Sequence, residues 1–381
     1  MRGGALLVSA AAAIGLWAFH ARRRRRRRVA PRALRAGDVV AVVAPSSCAA
    51  AIFPHVRDQG VRRLEALLGA TARVMPSCAL AGAALTPAAR AADLNAAFGD
   101  PDVKAIVCAI GGDDAVRVLP LLDRALIAAN PKPLLGFSDA TALHLYLDRL
   151  GVPSLYGGAL LCQFAISGPA MHEFTAAAFR HALLSPEAPL RLEPSRAFQD
   201  GYLEWGDEAN LARAGALEPN PGWEWAGAPA GGGVARGRLW GGCLEPLLAH
   251  LALGRYTLPP AELAGAVLFV ETSEEFPSAR SVYALFQTLG ELGVLGRLAA
   301  VLVGRPQTVA RGVAVAGGRD EYRAAQRAAV LRAVGEYSEG GAPTPVVFGL
   351  DFGHTDPQFL VPVGGTATID FGRRTIEVSY T

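Results

Sequence analysis

The chain has 381 residues, 51% hydrophobic and 19% charged, enough to bury the cores of two domains and too apolar for a disordered chain. Its formal charge of +3 misleads: ten arginines fall within residues 1–36, which contain no acid, so the body from Gly37 onward carries about −7, a balance without general affinity for nucleic acid. Five scattered cysteines (Cys48, Cys78, Cys108, Cys162, Cys243) form no CxxC pair, which argues against a zinc site or a disulfide framework and suits a reducing compartment.

Ala5 to Phe19 is an apolar run followed closely by Arg22 to Arg28. As a helix it would rise roughly 22 Å, short of the roughly 30 Å hydrocarbon core. If the run enters a membrane, arginines after it would keep the body on the cytoplasmic face. Residues 1–36 are therefore expected to be a weak membrane anchor, with an organelle presequence, an interfacial anchor on anionic lipid and a featureless tail as competing readings.

From Gly37 the chain alternates strands and helices. Asp38 to Ala44 predicts a strand, Val61 to Leu68 a helix, and Thr86-Pro87 a helix start with Thr86 as N-cap. Val103 to Ile110 predicts a buried strand that breaks at Gly111-Gly112 and leads into a helix through Asp113 to Asp123. Pro133 to Phe137 predicts another strand and Asp139 to Leu150 another helix. Such alternation implies a mainly parallel sheet, so residues 37–185 are expected to form an N-terminal α/β domain.

Residues 186–233 lose the pattern and are expected to be an interdomain crossing with a long loop carrying Trp205, Trp223 and Trp225. Residues 234–381 are expected to form a C-terminal α/β domain richer in strands. Its helices should cover Glu245 to Leu253, Ser278 to Leu292 and Asp320 to Tyr337. Its strands should cover Ala266 to Val270, Ala299 to Val303, Phe359 to Val363, Thr366 to Asp370 and Thr375 to Tyr380.

Several residues invite a chemical reading. Ser138 stands between a strand and a helix, where a hydroxyl is exposed and a helix N-terminus offers N–H groups to an oxyanion, although GFSDA is not GxSxG and an N-cap serine sits the same way. Gly111-Gly112 could bring backbone N–H groups close to a substrate oxygen, or be an ordinary tight turn. Glu271 ends an apolar run, where an acid can orient an imidazole or simply be solvated beside Glu274 and Glu275. His354 lies in a Gly- and Pro-rich loop, free to act as a base or to serve structure. His144 and His250 are rivals inside helices.

The order and wording of six segments resemble the LD-carboxypeptidase family: GDVVAVVAPSS, AIGGDDAVRVLPLLD, KPLLGFSDATALHLYL, RLWGGCLEPLLAHL, LFVETSEE and VFGLDFGHTDPQFLVPVG. The GGDD and FGHTDPQ wording is closer to its microcin C immunity branch than to the muramoyl-tetrapeptide carboxypeptidases. The resemblance implies Ser138 as nucleophile, Glu271 and His354 completing a triad, and the backbone N–H groups of Gly112 and Asp139 as the oxyanion hole. It further implies a site between two domains, often in a homodimer, and no cofactor or metal. The substrate would be a murein-type LD-peptide or a microcin-like aminoacyl-nucleotide, with the tryptophans able to stack on a base. Cys243 and Thr272 stand where many relatives have Asn and Asp. A tethered pseudoenzyme that only binds peptide, and a nucleotide-dependent enzyme built on Gly111-Gly112, are the competing functions.

Overall fold

The computed structural model describes residues 30–227, 232–310, 312–338 and 343–380. The expectations for the apolar and Arg-rich N-terminal segment lie almost wholly outside these residues. Among the described residues no helix is long and apolar enough to cross a membrane.

Five strands in chain order, β1 (Val39–Val43), β2 (Thr71–Val74), β3 (Val103–Cys108), β4 (Leu134–Gly136) and β5 (Ser154–Tyr156), pair in parallel in the order β5-β4-β3-β1-β2. The helices Pro54–Leu68, Pro87–Gly99 and Thr141–Leu150 connect successive strands, as the sequence pattern implied. Thr86 caps its helix by accepting from the Ala89 N–H at 3.1 Å. The helix expected from Asp113 to Asp123 does not form. Pro120 lacks the N–H that a helix interior requires, and the stretch folds as two short 3₁₀ turns, Ala115–Arg117 and Leu119–Leu121.

The second sheet has eight strands. After β6 (Leu190–Leu192) and β7 (Glu224–Ala226) come β8 (Val234–Cys243), β9 (Val267–Glu271), β10 (Ala300–Gly304) and β11 (Val346–Leu350), then, past β12 (Val361–Val363), which belongs to the first sheet, β13 (Thr366–Asp370) and β14 (Thr375–Ser379). Their order is β6-β14-β13-β8-β9-β10-β11-β7, with β8 to β11 parallel. The crossing expected to be loop thus supplies both edge strands of this sheet. Strand β12, between β11 and β13 in the chain, pairs antiparallel with β5 as the sixth strand of the first sheet. The protein is therefore mixed α/β with two sheets laced together.

One apolar cluster runs through both halves, joining Phe137, Leu155 and Tyr156 to Phe269, Phe352 and Phe359. Gly242 makes the close approach possible: a Cβ there would stand 2.5 Å from the Thr141 side chain. The next residue, Cys243, donates its N–H to Thr141 Oγ1 at 2.9 Å, and that hydroxyl donates to the Ser138 carbonyl at 2.7 Å. The second sheet is thereby clamped onto the turn that carries Ser138.

Candidate active site

Ser138 follows β4 with φ +60°, in the left-handed region. For a residue with a Cβ this costs on the order of 1–3 kcal/mol and persists only where the surroundings hold it. Here they do. The Ser138 N–H donates to the Tyr156 hydroxyl at 3.1 Å, and its carbonyl is held by Thr141. Opposite lies the turn after β3, where a Cβ on Gly111 would come within 2.9 Å of Ser138 Cβ and 3.1 Å of its Oγ. A strained strand-to-helix turn thus presents a half-buried hydroxyl without the GxSxG wording.

Asp139 performs a separate task with its carboxylate. Oδ2 accepts from Ser46 Oγ at 2.5 Å and from the Ala115 N–H at 2.7 Å, so it ties together the loops that follow β1, β3 and β4. Burial raises its pKa, against the opposing pull of these hydrogen bonds. Gly112 has φ +145° and lies over Ser46 and Ser47 beside this junction.

Glu271 ends β9 and His354 lies on the loop between β11 and β12. Both are buried, and Glu271 Oε2 is 2.7 Å from His354 Nδ1. The imidazole packs edge-on to Phe137, 5.0 Å between centroids, against the residue that immediately precedes Ser138. The other oxygen of Glu271 accepts from the Tyr156 hydroxyl. A single buried tyrosine therefore links the serine amide to the glutamate. Burial and the Glu271 charge push its pKa well above the usual value, so it stays a protonated donor.

His354 has a second carboxylate. Its Nε2 lies 3.0 Å from Glu274 Oε2. Burial disfavours charge on the ring, but Glu271 and Glu274 together outweigh it and raise the pKa well above 6.5. This arrangement favours the protonated ring. For it to accept a proton from Ser138, Glu274 must first leave Nε2.

The rival histidines drop out. His144 Nε2 is bonded to the Gly136 carbonyl at 2.8 Å, and burial lowers its pKa to about 4. Burial likewise takes His250 to about 4. Both are neutral core residues. Tyr156 and Glu274 were not singled out from the sequence. Tyr156 could have been, since a polar-tipped aromatic closes the strand next to the one that leads to Ser138. Glu274 looked like one of three acids at a solvated strand end.

The tryptophans divide between two places. Trp205 packs on Phe53 at 5.7 Å and near Tyr202 at 6.5 Å. The Tyr202 hydroxyl accepts from Gln163 Nε2, which also donates to Asp356, two residues beyond His354. Trp223 and Trp225 instead line a cavity of about 660 Å³ with Arg305 and Arg323. Its wall includes Glu271 but neither Ser138 nor His354.

The match to known families decides the relationship. A model of the LD-carboxypeptidase N-terminal domain matches residues 40–157, and a model of the LD-carboxypeptidase C-terminal domain matches residues 236–369. The chain belongs to the LD-carboxypeptidase family. Within it, the microcin C7 self-immunity protein MccF of Escherichia coli is 29% identical over 292 residues, covering 76% of this chain and 78% of that protein. The probable murein peptide carboxypeptidase of Bacillus subtilis is 27% identical over 352 residues, covering 91% and 92%. The crystal structure of an MccF-like protein from Streptococcus pneumoniae in complex with AMP superposes with a TM-score of 0.76 at 26% identity, covering 90% of this chain and 99% of that one. Membership supports peptidase activity on this LD-carboxypeptidase fold, and it disfavours the nucleotide-dependent alternative, whose Gly111-Gly112 turn is packed against Ser138 and Ser46.

Proposed function

We propose that the protein is a serine carboxypeptidase that hydrolyses an amide bond to a small C-terminal group. Ser138 attacks the carbonyl as His354 takes its proton, and Glu271 holds the ring through Nδ1 and stabilises the imidazolium that forms. The N–H groups of Gly112 and Asp139 receive the oxyanion, His354 then protonates the leaving amine, and water repeats the cycle to release the acyl group. The observation that carries this reading is the 2.7 Å contact between Glu271 and His354, brought by strand β9 and the loop after β11 against the residue beside Ser138.

The relatives support two substrate classes, an LD-peptide of the murein type and an aminoacyl-nucleotide of the microcin type. The AMP complex of the Streptococcus pneumoniae protein and the pairing of Tyr202 with Trp205 near Asp356 favour a leaving group that carries a nucleobase. The test is mass spectrometry of products formed from a murein tetrapeptide and from an aminoacyl-sulfamoyl adenosine. The reading expects release of the C-terminal group from at least one, abolished in Ser138→Ala. No product from either, with ligand affinity unchanged in Ser138→Ala, would favour a peptide-binding pseudoenzyme.

A further inference from the structure

We infer that the protein contains a binding site for a borderline-soft divalent cation, Zn²⁺ by preference, formed by Cys243, Glu271 and His354. The thiol of Cys243, a carboxylate oxygen of Glu271 and a ring nitrogen of His354 all lie within 4.8 Å of one another. All three residues are buried, with Cys243 and Glu271 each 1% exposed and His354 5%. Around tetrahedral zinc, ligand bonds of about 2.0–2.3 Å set donor atoms about 3.3–3.7 Å apart. The Glu271–His354 pair, at 2.7 Å, is already closer than that, so the donors need only part slightly to admit the ion. One sulfur, one nitrogen and one oxygen donor suit Zn²⁺ and not Mg²⁺ or Ca²⁺, which take oxygen sets.

Three elements bring these donors together. Cys243 ends β8, Glu271 ends β9 in parallel register with it, and His354 comes from the loop after β11. The register pairs Cys243 with Glu271 directly. Two further carboxylates stand behind the donors: Glu245 Oε2 lies 3.1 Å from Cys243 Sγ, and Glu274 Oε2 lies 3.0 Å from His354 Nε2. Their charge favours a cation nearby. Without metal, burial and the charges of Glu271 and Glu245 keep the thiol protonated. Binding therefore releases the thiol proton and the proton held on the imidazole to solvent, leaving thiolate, carboxylate and neutral ring on the ion.

The consequence rests on the function proposed above: a metal held by Glu271 and His354 occupies the acid and the base together, so it inhibits hydrolysis. The experiment separates the two ideas. Co²⁺ is titrated into the full chain and the near-ultraviolet thiolate-to-cobalt charge-transfer band is recorded, a readout that needs no activity. In parallel, hydrolysis is measured with and without Zn²⁺, each variant against its own metal-free rate. The inference expects one equivalent of Co²⁺ to give the band, micromolar Zn²⁺ to inhibit at least tenfold with reversal by a chelator, and Cys243→Ala to lose both. Absence of the band from the wild-type protein would overturn it whether or not the variant folds. Equal inhibition of wild type and Cys243→Ala, or activation by Zn²⁺, would overturn it as well. A cobalt band in a chain that shows no hydrolysis would uphold the metal site while sinking the peptidase reading.

Discussion

Nε2 of His354 and Oε2 of Glu274 stand 3.0 Å apart, so the ring nitrogen that a serine base must offer to its hydroxyl is held by a carboxylate. Replacing Glu274 by Gln removes one of the two charges that raise the His354 pKa. A lower pKa means a larger neutral fraction, because the base acts only when deprotonated. The acid limb of kcat/KM is expected to move down by about one pH unit in Glu274→Gln, with a severalfold gain near neutral pH. An unmoved limb would show that Glu274 leaves His354 before the titration matters.

The same group sets a stability trend. A histidine whose folded pKa lies above its unfolded value stabilises the protein fully below the unfolded pKa, near 6.5, and loses that contribution as pH rises through the folded pKa. Melting temperature is expected to decline over that window more in the wild type than in His354→Gln. Parallel profiles would contradict the direction of the His354 shift.

Tyr156 is expected to act as a positioning residue. In Tyr156→Phe the Ser138 N–H and one oxygen of Glu271 lose their partner. The orphaned, partly buried amide costs about 1 kcal/mol of stability. Without the tyrosine donor the Glu271 charge falls more fully on His354, which favours the protonated ring. The variant should therefore show kcat lowered by about ten- to a hundredfold, KM little changed and the acid limb moved up. A loss of stability with an unmoved pH profile would make Tyr156 purely structural.

The loop that bears His354 is anchored by Asp351. This carboxylate pairs with buried Arg305 at 3.0 Å and accepts from Ser195 Oγ at 2.7 Å and Trp223 Nε1 at 3.0 Å. Asp351→Ala leaves a buried guanidinium uncompensated, which typically costs about 3–5 kcal/mol. Denaturant unfolding should show a loss of that order. A change below about 1 kcal/mol would mean that the Arg305 network is solvated.

These contacts also mark where the sequence was readable. Parallel β-α-β order, the Thr86 cap and the helices after Glu245, Ser278 and Asp320 followed from periodicity and cap chemistry. Ser138, Glu271 and His354 stood out only through the joint order of six segments, since a serine at a strand end or an acid beside two others has an ordinary explanation. The crossing at 186–233 was opaque because its edge strands β6 and β7 are only three residues long and depend on partners, β14 and β11, far along the chain. Tyr156 and Glu274 matter through tertiary neighbours alone, and no local pattern encodes a hydroxyl 115 residues from the carboxylate it binds.

The central claim is that Ser138 is the nucleophile. Intact-mass and peptide mass spectrometry after treatment with a serine-reactive phosphonate tests it most directly. The account predicts one adduct, on Ser138, absent from Ser138→Ala and slowed by substrate. An adduct on another serine, or none in a folded sample that releases product, would contradict it.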